Sequence, residues 1–309
     1  VEIKAKNINP YLVDSDNLII LSRSNSLCDA PEIKFGSMPN DDGSFLFTDD
    51  EKNKFLKIEP NADKFIKPLI SAREFLHNEK RWCLWMEDIK PSEVKVLPEI
   101  EKRIDKVKSF RLSSNREATR KLASYPYLFG ENRQPKSDYI LIPRHSSENR
   151  KYIPIAYLSK DNIVSDSCLS IQNTNYFHFG VLTSTMHMAW VRQICGRLES
   201  RYRYSNNIVY NNFPWPETPS DEKIKRVEEA VEILLAVREE FKSESLADLY
   251  DPLAMPKKLV DAHNKLDKAV DLCYRPQPFP NELSRLEFLF DLYKKYTEPM
   301  FNTKKKGKK

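Results

Sequence analysis

Between residues 196 and 216 the chain gathers side chains suited to a flat, polar, negatively charged partner. They are Arg197, Arg201 and Arg203, Tyr202, Tyr204 and Tyr210, and Asn206, Asn207, Asn211 and Asn212, with Glu199 the lone acid among them. Guanidinium forks match phosphate oxygens and base edges, an asparagine amide pairs with adenine through two hydrogen bonds, and a phenol stacks or donates one. The same composition also suits a core β-hairpin with solvated arginines. Pro214 and Pro216 flank Trp215 and stop any regular element, because proline lacks an amide donor and fixes its own φ. A domain boundary near 217–219 follows.

A second set of polar groups lies at 144–151, in the turn between two apolar runs, Tyr139–Pro143 and Tyr152–Leu158, that read as paired strands. Arg144, Ser146, Ser147, Glu148, Arg150 and Lys151 place guanidinium, hydroxyl, carboxylate and ammonium groups on one tip, a set able to distinguish bases in a major groove. Arg133 and Lys136, just before the first strand, join them as candidate base readers. An ordinary solvated turn is the alternative. His145 reads as a surface polar residue and not as a general base. For phosphate anchoring the candidates are Arg116 and Arg120 together with Arg197, Arg201 and Arg203. Arg116 and Arg120 close a basic helical series with Lys102, Arg103, Lys106, Lys108, Arg111 and Lys121, and long cations along a helix can track a backbone without reading sequence.

Residues for catalysis, by contrast, do not assemble. Asn9-Pro10-Tyr11 resembles the Asn-Pro-Pro-Tyr tetrapeptide of amino-methyltransferases but lacks the second proline, and the six glycines include no Gly-x-Gly cofactor loop. Glu93-Val94-Lys95 with Asp88, and Glu2-Ile3-Lys4, hold fragments of a nuclease motif at unsuitable spacing. No serine, histidine and acid set is arranged for nucleophilic attack. Met186, His187 and Met188 read as packing on a helix, with His187 an interior or edge histidine. Five widely spaced cysteines with no Cys-x-x-Cys pair read as reduced, buried thiols. The expectation is no catalytic, metal or cofactor site in this segment.

The elements that must position these groups follow from patterning. Thr48 followed by Glu51 signals a helix start before Phe55, Leu56 and Ile58. Residues 81–86 have the aromatic content of a central strand, with Trp82 and Trp85 filling core, and 18–21 reads as a short strand. From Pro98 to about Leu122 the pattern is helical, with Ile100, Ile104 and Val107 on one face and a break at 113–115. Residues 162–170 read as strand and turn, and Phe177 to Arg197 as one buried helix. After Trp215, Thr218-Pro219-Ser220-Asp221 signals a helix start. Three amphipathic helices then follow, carrying Val227, Val231 and Leu234, then Leu259, Leu266 and Val270, then Leu286, Phe290 and Tyr293, enough for a small bundle.

The fold class expected is therefore α+β, a mixed-sheet domain over 1–217 followed by an α-helical bundle over 218–301 and a disordered lysine tail over 302–309. The net charge of +5 resides in that tail, whose five lysines, once set aside, leave 45 basic and 45 acidic side chains. Locally the balance is uneven: residues 101–160 hold fourteen Lys or Arg against six acids, whereas 220–301 hold thirteen against seventeen. A phosphate-binding face belongs in the first stretch, and the bundle faces solvent or protein. No apolar run approaches the roughly 20 residues that span a bilayer, so no membrane partner is expected and the chain reads as soluble and cytoplasmic. It starts at Val1, which reads as a segment of something larger.

The order of motifs carries a family resemblance. Arg203-Tyr204-Ser205 followed by Val209-Tyr210-Asn211-Asn212-Phe213-Pro214-Trp215-Pro216 resembles the end of the target-recognition domain in MmeI-like adenine DNA methyltransferases, which are often fused restriction-modification enzymes. Similar stretches follow along nearly the whole chain: Asn7 to Leu12, Phe35 to Pro39, Arg81 to Trp85, Ser146 to Glu148, Tyr152 to Ile155, Phe179 to Trp190 and Ser245 to Pro252. The resemblance implies a double-stranded DNA recognition segment, its first ~25 residues closing the preceding methyltransferase domain. That upstream domain of the same parent chain would be its partner, S-adenosylmethionine the parent's cofactor, and a nuclease a further fused part. The competing reading is a protein-interaction scaffold whose helices dock a partner and whose arginines are plain surface.

Overall fold

The computed structural model describes residues 6–14 and 16–305, with side chains to residue 298. Its strands are β1 Ile33–Phe35, β2 Leu46–Phe47, β3 Ile66–Ile70, β4 Trp82–Leu84, β5 Tyr139–Pro143, β6 His145–Ser146, β7 Ala156–Leu158, β8 Ile163–Val164, β9 Cys168–Gln172, β10 Gly196–Leu198 and β11 Arg201–Arg203. Its first helices are α1 Asp49–Ile58, α2 Ala72–His77, α3 Pro91–Val94, α4 Pro98–Leu112, α5 Glu117–Lys121, α6 Tyr176–Thr183 and α7 Thr185–Ile194. Four more follow, α8 Asp221–Glu240, α9 Leu246–Leu249, α10 Lys257–Tyr274 and α11 Glu282–Lys305. The strands join in the orders β1-β9-β5-β7, β2-β4-β3-β8 and β10-β11-β6, so the mixed α+β class expected from patterning is the class adopted. Among the described residues no helix is long and apolar enough to cross a membrane.

The chain divides into two compact units, one of residues 34–141 and 156–170, the other of 1–33, 142–155 and 171–309. In the first of these, α1 opens on the expected capping box: Thr48 Oγ accepts from Glu51 N at 3.3 Å, and the Glu51 carboxylate accepts from Thr48 N at 2.7 Å. β4 is an inner strand, pairing antiparallel with β2 and β3. Ile100, Ile104 and Val107 on α4 pack with Phe45, Phe47, Phe55 and Leu84 in one core, as the helical spacing requires. β5 and β7 pair antiparallel from Tyr139 opposite Leu158 to Leu141 opposite Ala156, the hairpin expected from the two apolar runs. Gly36 is obligatory for a steric reason, since a Cβ there would lie 2.1 Å from the Ser165 carbonyl oxygen.

Two members of the basic series on α4 are not surface cations. Arg111 is 1% exposed, and its guanidinium donates to the carbonyl oxygens of Pro39, Asn40, Leu122, Tyr125 and Leu128 at 2.7 to 3.0 Å. Its five N–H donors, in a fixed fork, suit a place where loop carbonyls converge, and it is spent there. Arg103 lies 4.1 Å over the Phe47 ring and 5.1 Å over Phe55 and donates to Ser44 O. These two are corrected from phosphate tracking to loop and core support.

In the other unit, the single helix expected over 177–197 is two, α6 and α7. Ser184 breaks it: its backbone is extended, its hydroxyl donates to Val181 O at 2.7 Å, and the same oxygen accepts from His187 N at 3.4 Å. The C-terminal helices do not close on themselves alone, because α8 packs on α6 as well as on α10, and α11 packs on α7. The Ser220 cap starts α8 two residues beyond the expected Thr218, which takes a left-handed φ of 33°. Residues 18–21 form no ladder; instead Ile20 N donates to the Tyr11 hydroxyl at 2.9 Å, and Leu21 O accepts from Asn212. The α11 backbone runs on to Lys305, past the expected end at 301, while the remainder of the lysine tail and the Glu2-Ile3-Lys4 tripeptide lie outside the described residues.

A tight helix approach in this unit is made at Gly180 on α6, where a Cβ would fall 2.5 Å from Val227 Cγ1 and 2.9 Å from Val231 Cγ2 on α8. Both valines are buried, so neither can swing into solvent. Gly180→Ala should therefore lower stability by about 1–3 kcal/mol through overpacking. Thermal denaturation beside Gly196→Ala, whose Cβ would meet nothing within 4 Å, measures the difference. Equal melting temperatures for the two variants would contradict this account of the packing.

Candidate nucleic-acid interface

Arg201-Tyr202-Arg203-Tyr204 alternates charged and aromatic residues at the period of a strand, which sends the tyrosines to one face and the arginines to the other. β10 and β11 turn back through Glu199-Ser200, with Glu199 at φ 57°, and pair Gly196 with Arg203, Arg197 with Tyr202, and Leu198 with Arg201. β11 then pairs on its other side with β6, Tyr202 opposite Ser146 and Arg203 opposite His145. Tyr204 N extends the ladder to Arg144 O at 2.8 Å. Two basic segments far apart in the sequence thus form one small sheet, and the turn at 144–151 is no isolated hairpin tip.

Cross-strand partners share a face, which sorts the side chains into two rows. Arg201, Arg203 and Leu198 are exposed on the outer face, where His145 sits half-buried beside Arg203. Tyr202 and Ser146 occupy the inner row and are both 3% exposed. Ser146, expected among the base readers, is corrected on this ground: alternation turns it away from His145 and inward. Arg197, on the edge strand, stays exposed with its guanidinium 4.0 Å over the Tyr202 ring, and donates to Ser200 O and Arg192 O at 3.0 and 3.1 Å.

Below the sheet most of the polar groups are matched internally, with Ser146 Oγ and His187 Nδ1 left without a partner. Tyr204 is buried, and its hydroxyl lies 2.9 Å from His187 Nε2 on α7. Burial pulls the His187 pKa down to about 3 and raises that of Tyr204 far above its usual value, so both are neutral at ordinary pH. Asn212, wholly buried, offers Nδ2 to Leu21 O, Asn207 O and Ile208 O at 2.9 to 3.1 Å, while its Oδ1 accepts from Arg23 Nε and the Tyr293 hydroxyl at 2.9 and 3.2 Å. Asn211 Nδ2 bonds Arg23 O and the Tyr210 hydroxyl bonds Pro31 O. The asparagines and tyrosines expected to meet a flat partner are therefore corrected at Asn211, Asn212, Tyr202, Tyr204 and Tyr210. They are core groups, because leaving an amide or phenol buried without a partner costs more than making these bonds.

The 144–151 loop divides likewise. Glu148 is held below the usual carboxylate range by the Ser200 hydroxyl first, then by a backbone amide and the charges of Arg197 and Arg201. It is thus an ionised acceptor at the sheet's tip. Ser147 Oγ accepts from Asn149 N at 3.3 Å and stays half-exposed. Arg150 is half-buried; desolvation lowers its pKa, partly offset by the nearby charges of Asp251 and Asp248. Lys151 is exposed, its Nζ 5.1 Å over the Tyr152 ring. Arg144 is half-exposed at the root of the loop.

The other four candidates belong to the unit of 34–141 and 156–170. Arg116 is exposed at the N-cap of α5, and Arg120, also exposed, donates to Ser114 O at 2.8 Å. Arg133 pairs with Glu131 and donates to Gly36 O at 3.1 Å, and Lys136 is exposed. His145, read from the sequence as a surface polar residue, is half-buried opposite Arg203, and no local signal predicts a neighbour that distant.

Two family models match this chain: MmeI, target recognition domain, over residues 14–217, and MmeI, C-terminal domain, over residues 219–301. DNA methyltransferase A of Bacillus subtilis (strain 168) is 39% identical over 292 residues, covering 94% of this chain and 33% of that protein. A solved structure of the type IIL restriction-modification enzyme MmeI in complex with DNA superposes with a TM-score of 0.92 at 46% identity, covering 96% of this chain and 39% of that one. The chain thus spans about a third of the curated relative and two fifths of the solved one.

The histidine under the sheet makes stability depend on pH. His187 titrates near 6.5 when unfolded and about 3 when folded, so between those values the unfolded chain binds more protons, and stability falls as pH drops below about 6.5. His263, buried and pulled down in the same direction, adds to the trend. His187→Gln keeps a partner for Tyr204 and removes one of the groups behind the trend. Urea midpoints between pH 7.5 and 4.5 should fall less steeply for it than for the parent, and parallel curves would show that His187 does not contribute.

Proposed function

Because the chain belongs to the MmeI family, we propose that it is the duplex-recognition segment of a longer adenine DNA methyltransferase of the restriction-modification kind. The observation that carries the reading is the pairing of β6 with β11, which puts Arg201 and Arg203 on one exposed face next to the 144–151 loop. The solved relative is a restriction-modification enzyme in complex with DNA, and the curated relative is a DNA methyltransferase, which supports double-stranded DNA as the partner.

The division of roles follows from chemistry. Arg201, Arg203 and Arg197 anchor phosphates, and Arg116 and Arg120, on the unit of 34–141 and 156–170, are phosphate anchors in their own right, since exposed guanidinium groups supply affinity without reading sequence. Arg144, Ser147, Glu148, Arg150 and Lys151, with Arg133 and Lys136, meet base edges. An ionised Glu148 accepts from a cytosine amino group, and an arginine fork matches guanine O6 and N7. Held in this way, the duplex presents its target adenine for rotation out of the stack into a pocket on the upstream methyltransferase domain of the same parent.

S-adenosylmethionine would supply the methyl group in that upstream domain. The residues here do not fit it: Asn9 Oδ1 is taken by the backbone amides of Tyr11 and Val13 at 2.9 and 3.1 Å, with no glycine loop beside it. A cytoplasmic location accords with duplex DNA as the partner.

Fluorescence anisotropy with labelled duplex across 50 to 200 mM salt tests the reading. Arg201→Gln with Arg203→Gln should weaken all duplexes alike and flatten the slope of log affinity against log salt by about 2, one for each phosphate that is no longer neutralised. Glu148→Gln should move that slope by less than the double arginine change does, through its coupling to Arg197 and Arg201, and should change which sequences are preferred, by about 1–3 kcal/mol at the affected base pair. If both variants behave alike the division of roles fails, and a parent chain without affinity for duplex would favour the interaction scaffold.

A further inference from the structure

We propose that Asp267 on α10 is a positioning residue for base reading: through Tyr152 it holds the downstream end of the 144–151 loop, so the C-terminal helices act on base preference through the loop and not by contact with duplex. The inference rests on the duplex-recognition reading and adds to it a role for the region of 219–301.

The two ends of the loop are held by different means. Upstream, backbone bonds fix it, since β6 pairs with β11 and Tyr204 N donates to Arg144 O at 2.8 Å. Downstream, Tyr152, Ile153 and Ile155 are buried, yet among the described residues no strand pairs with 152–155. Side chains from three helices take over there. Arg192 on α7 donates to Lys151 O at 2.7 Å, and Arg238 on α8 donates to Ile155 O at 2.8 Å. Between them the Tyr152 hydroxyl donates to Asp267 Oδ2 at 2.7 Å, and its ring stacks on His263 with centroids 3.9 Å apart. Both α8 and α10 lie within the stretch that the C-terminal family model matches.

Of these anchors Asp267 has the least freedom. Its other oxygen accepts from Thr185 N at 2.7 Å, so the start of α7 fixes the carboxylate that Tyr152 meets. His263 is held in turn, its Nε2 lying 3.0 Å from the Tyr250 hydroxyl. A buried carboxylate adds little net stability once desolvation is counted; what it fixes is one geometry. The consequence reaches the loop at once. Lys151 precedes Tyr152 and carries its Nζ 5.1 Å over the same ring, and Arg150 precedes Lys151. A shift of Tyr152 is therefore passed to both, whereas Arg144, bound in the ladder, keeps its place.

Selection of bound duplexes from a randomised pool by the full chain reads base preference, and anisotropy with a random-sequence duplex reads affinity. A base pair that is read is preferred roughly five- to hundredfold over its alternatives. Tyr152→Phe removes the hydroxyl and keeps the ring. Its preference should fall toward one at some of the enriched positions and persist at others, with affinity for the random duplex and its salt slope left in place. Asp267→Ala should repeat that loss, and Tyr152→Phe stands for it if circular dichroism shows that it does not fold. Asp267→Asn should keep every preference, because its amide can donate to the Tyr152 oxygen while its carbonyl accepts from Thr185 N. Gly180→Ala, destabilised at the contact of α6 with α8, should keep them too, which a merely structural role would not produce. Preference retained in Tyr152→Phe, or lost to the same degree in Asp267→Asn or Gly180→Ala, overturns the positioning role alone. An unaltered chain that binds no duplex or enriches no sequence overturns the recognition reading and this proposal with it.

Discussion

The arrangement of the outer face depends on a phenol that has to be buried. Tyr204 continues the alternation of β11 into the interior, where its hydroxyl meets His187 at 2.9 Å and its amide holds Arg144 O at 2.8 Å. A buried hydroxyl without a partner costs on the order of 1–3 kcal/mol, so slipping the strand by one residue would forfeit the bond and bring Arg203 inward. Register is specified from below, and the exposure of Arg201 and Arg203 is its consequence. The surface chemistry is thus set by the least surface-like atoms of the segment.

The helices extend the same logic. Tyr152, directly after the 144–151 loop, donates to Asp267 on α10 at 2.7 Å and stacks on His263 with ring centroids 3.9 Å apart. Asp267 also accepts from Thr185 N at 2.7 Å, capping α7, so one carboxylate joins the loop's end to two helices. Desolvation raises the pKa of that carboxylate, and the Tyr152 and Thr185 bonds pull in the other direction. Asn212 does the equivalent for the segment at 21–23, the short π-helix Asn206–Tyr210 and Tyr293 on α11. Buried polar groups of this kind contribute little net stability once desolvation is counted, but they have few alternative partners, and that fixes one geometry.

What could be read from the residues alone was whatever is local and periodic. The capping box at Thr48, the apolar face Ile100-Ile104-Val107, the inner strand at Trp82–Leu84 and the apolar stripes of α10 and α11 all announce themselves within a few residues. The break at Ser184 did not, because its hydroxyl caps a helix only when the backbone there is already extended. Arg111 looked like its neighbours on α4 and differs only in the carbonyls that surround it. The site was half legible: both basic segments could be picked out by composition, but the ladder from β6 to β11 joins residues with no shared signature. Alternation alone separates Arg201 and Arg203 from Tyr202 and Tyr204, and that is the core hairpin with solvated arginines that the same composition suits.

Such a face can change without losing its support. The bonds that hold it run through inward rows and backbone, through Tyr202, Tyr204, Ser146 and the ladder, and none requires a particular side chain at 145, 201 or 203. Exposed positions away from caps and buried networks usually tolerate substitution within about ±0.5 kcal/mol. The loop is less free, since Glu148 is coupled to Arg197, Arg201 and Ser200, so altering its charge changes the field on the phosphate side as well. A substitution meant to alter base preference at Glu148 therefore carries an electrostatic effect on anchoring, whereas one at Lys151 acts first on an ammonium lying over the Tyr152 ring, away from that cluster. Specificity and affinity share a scaffold here, and they are separable only where the side chains do not already interact with one another.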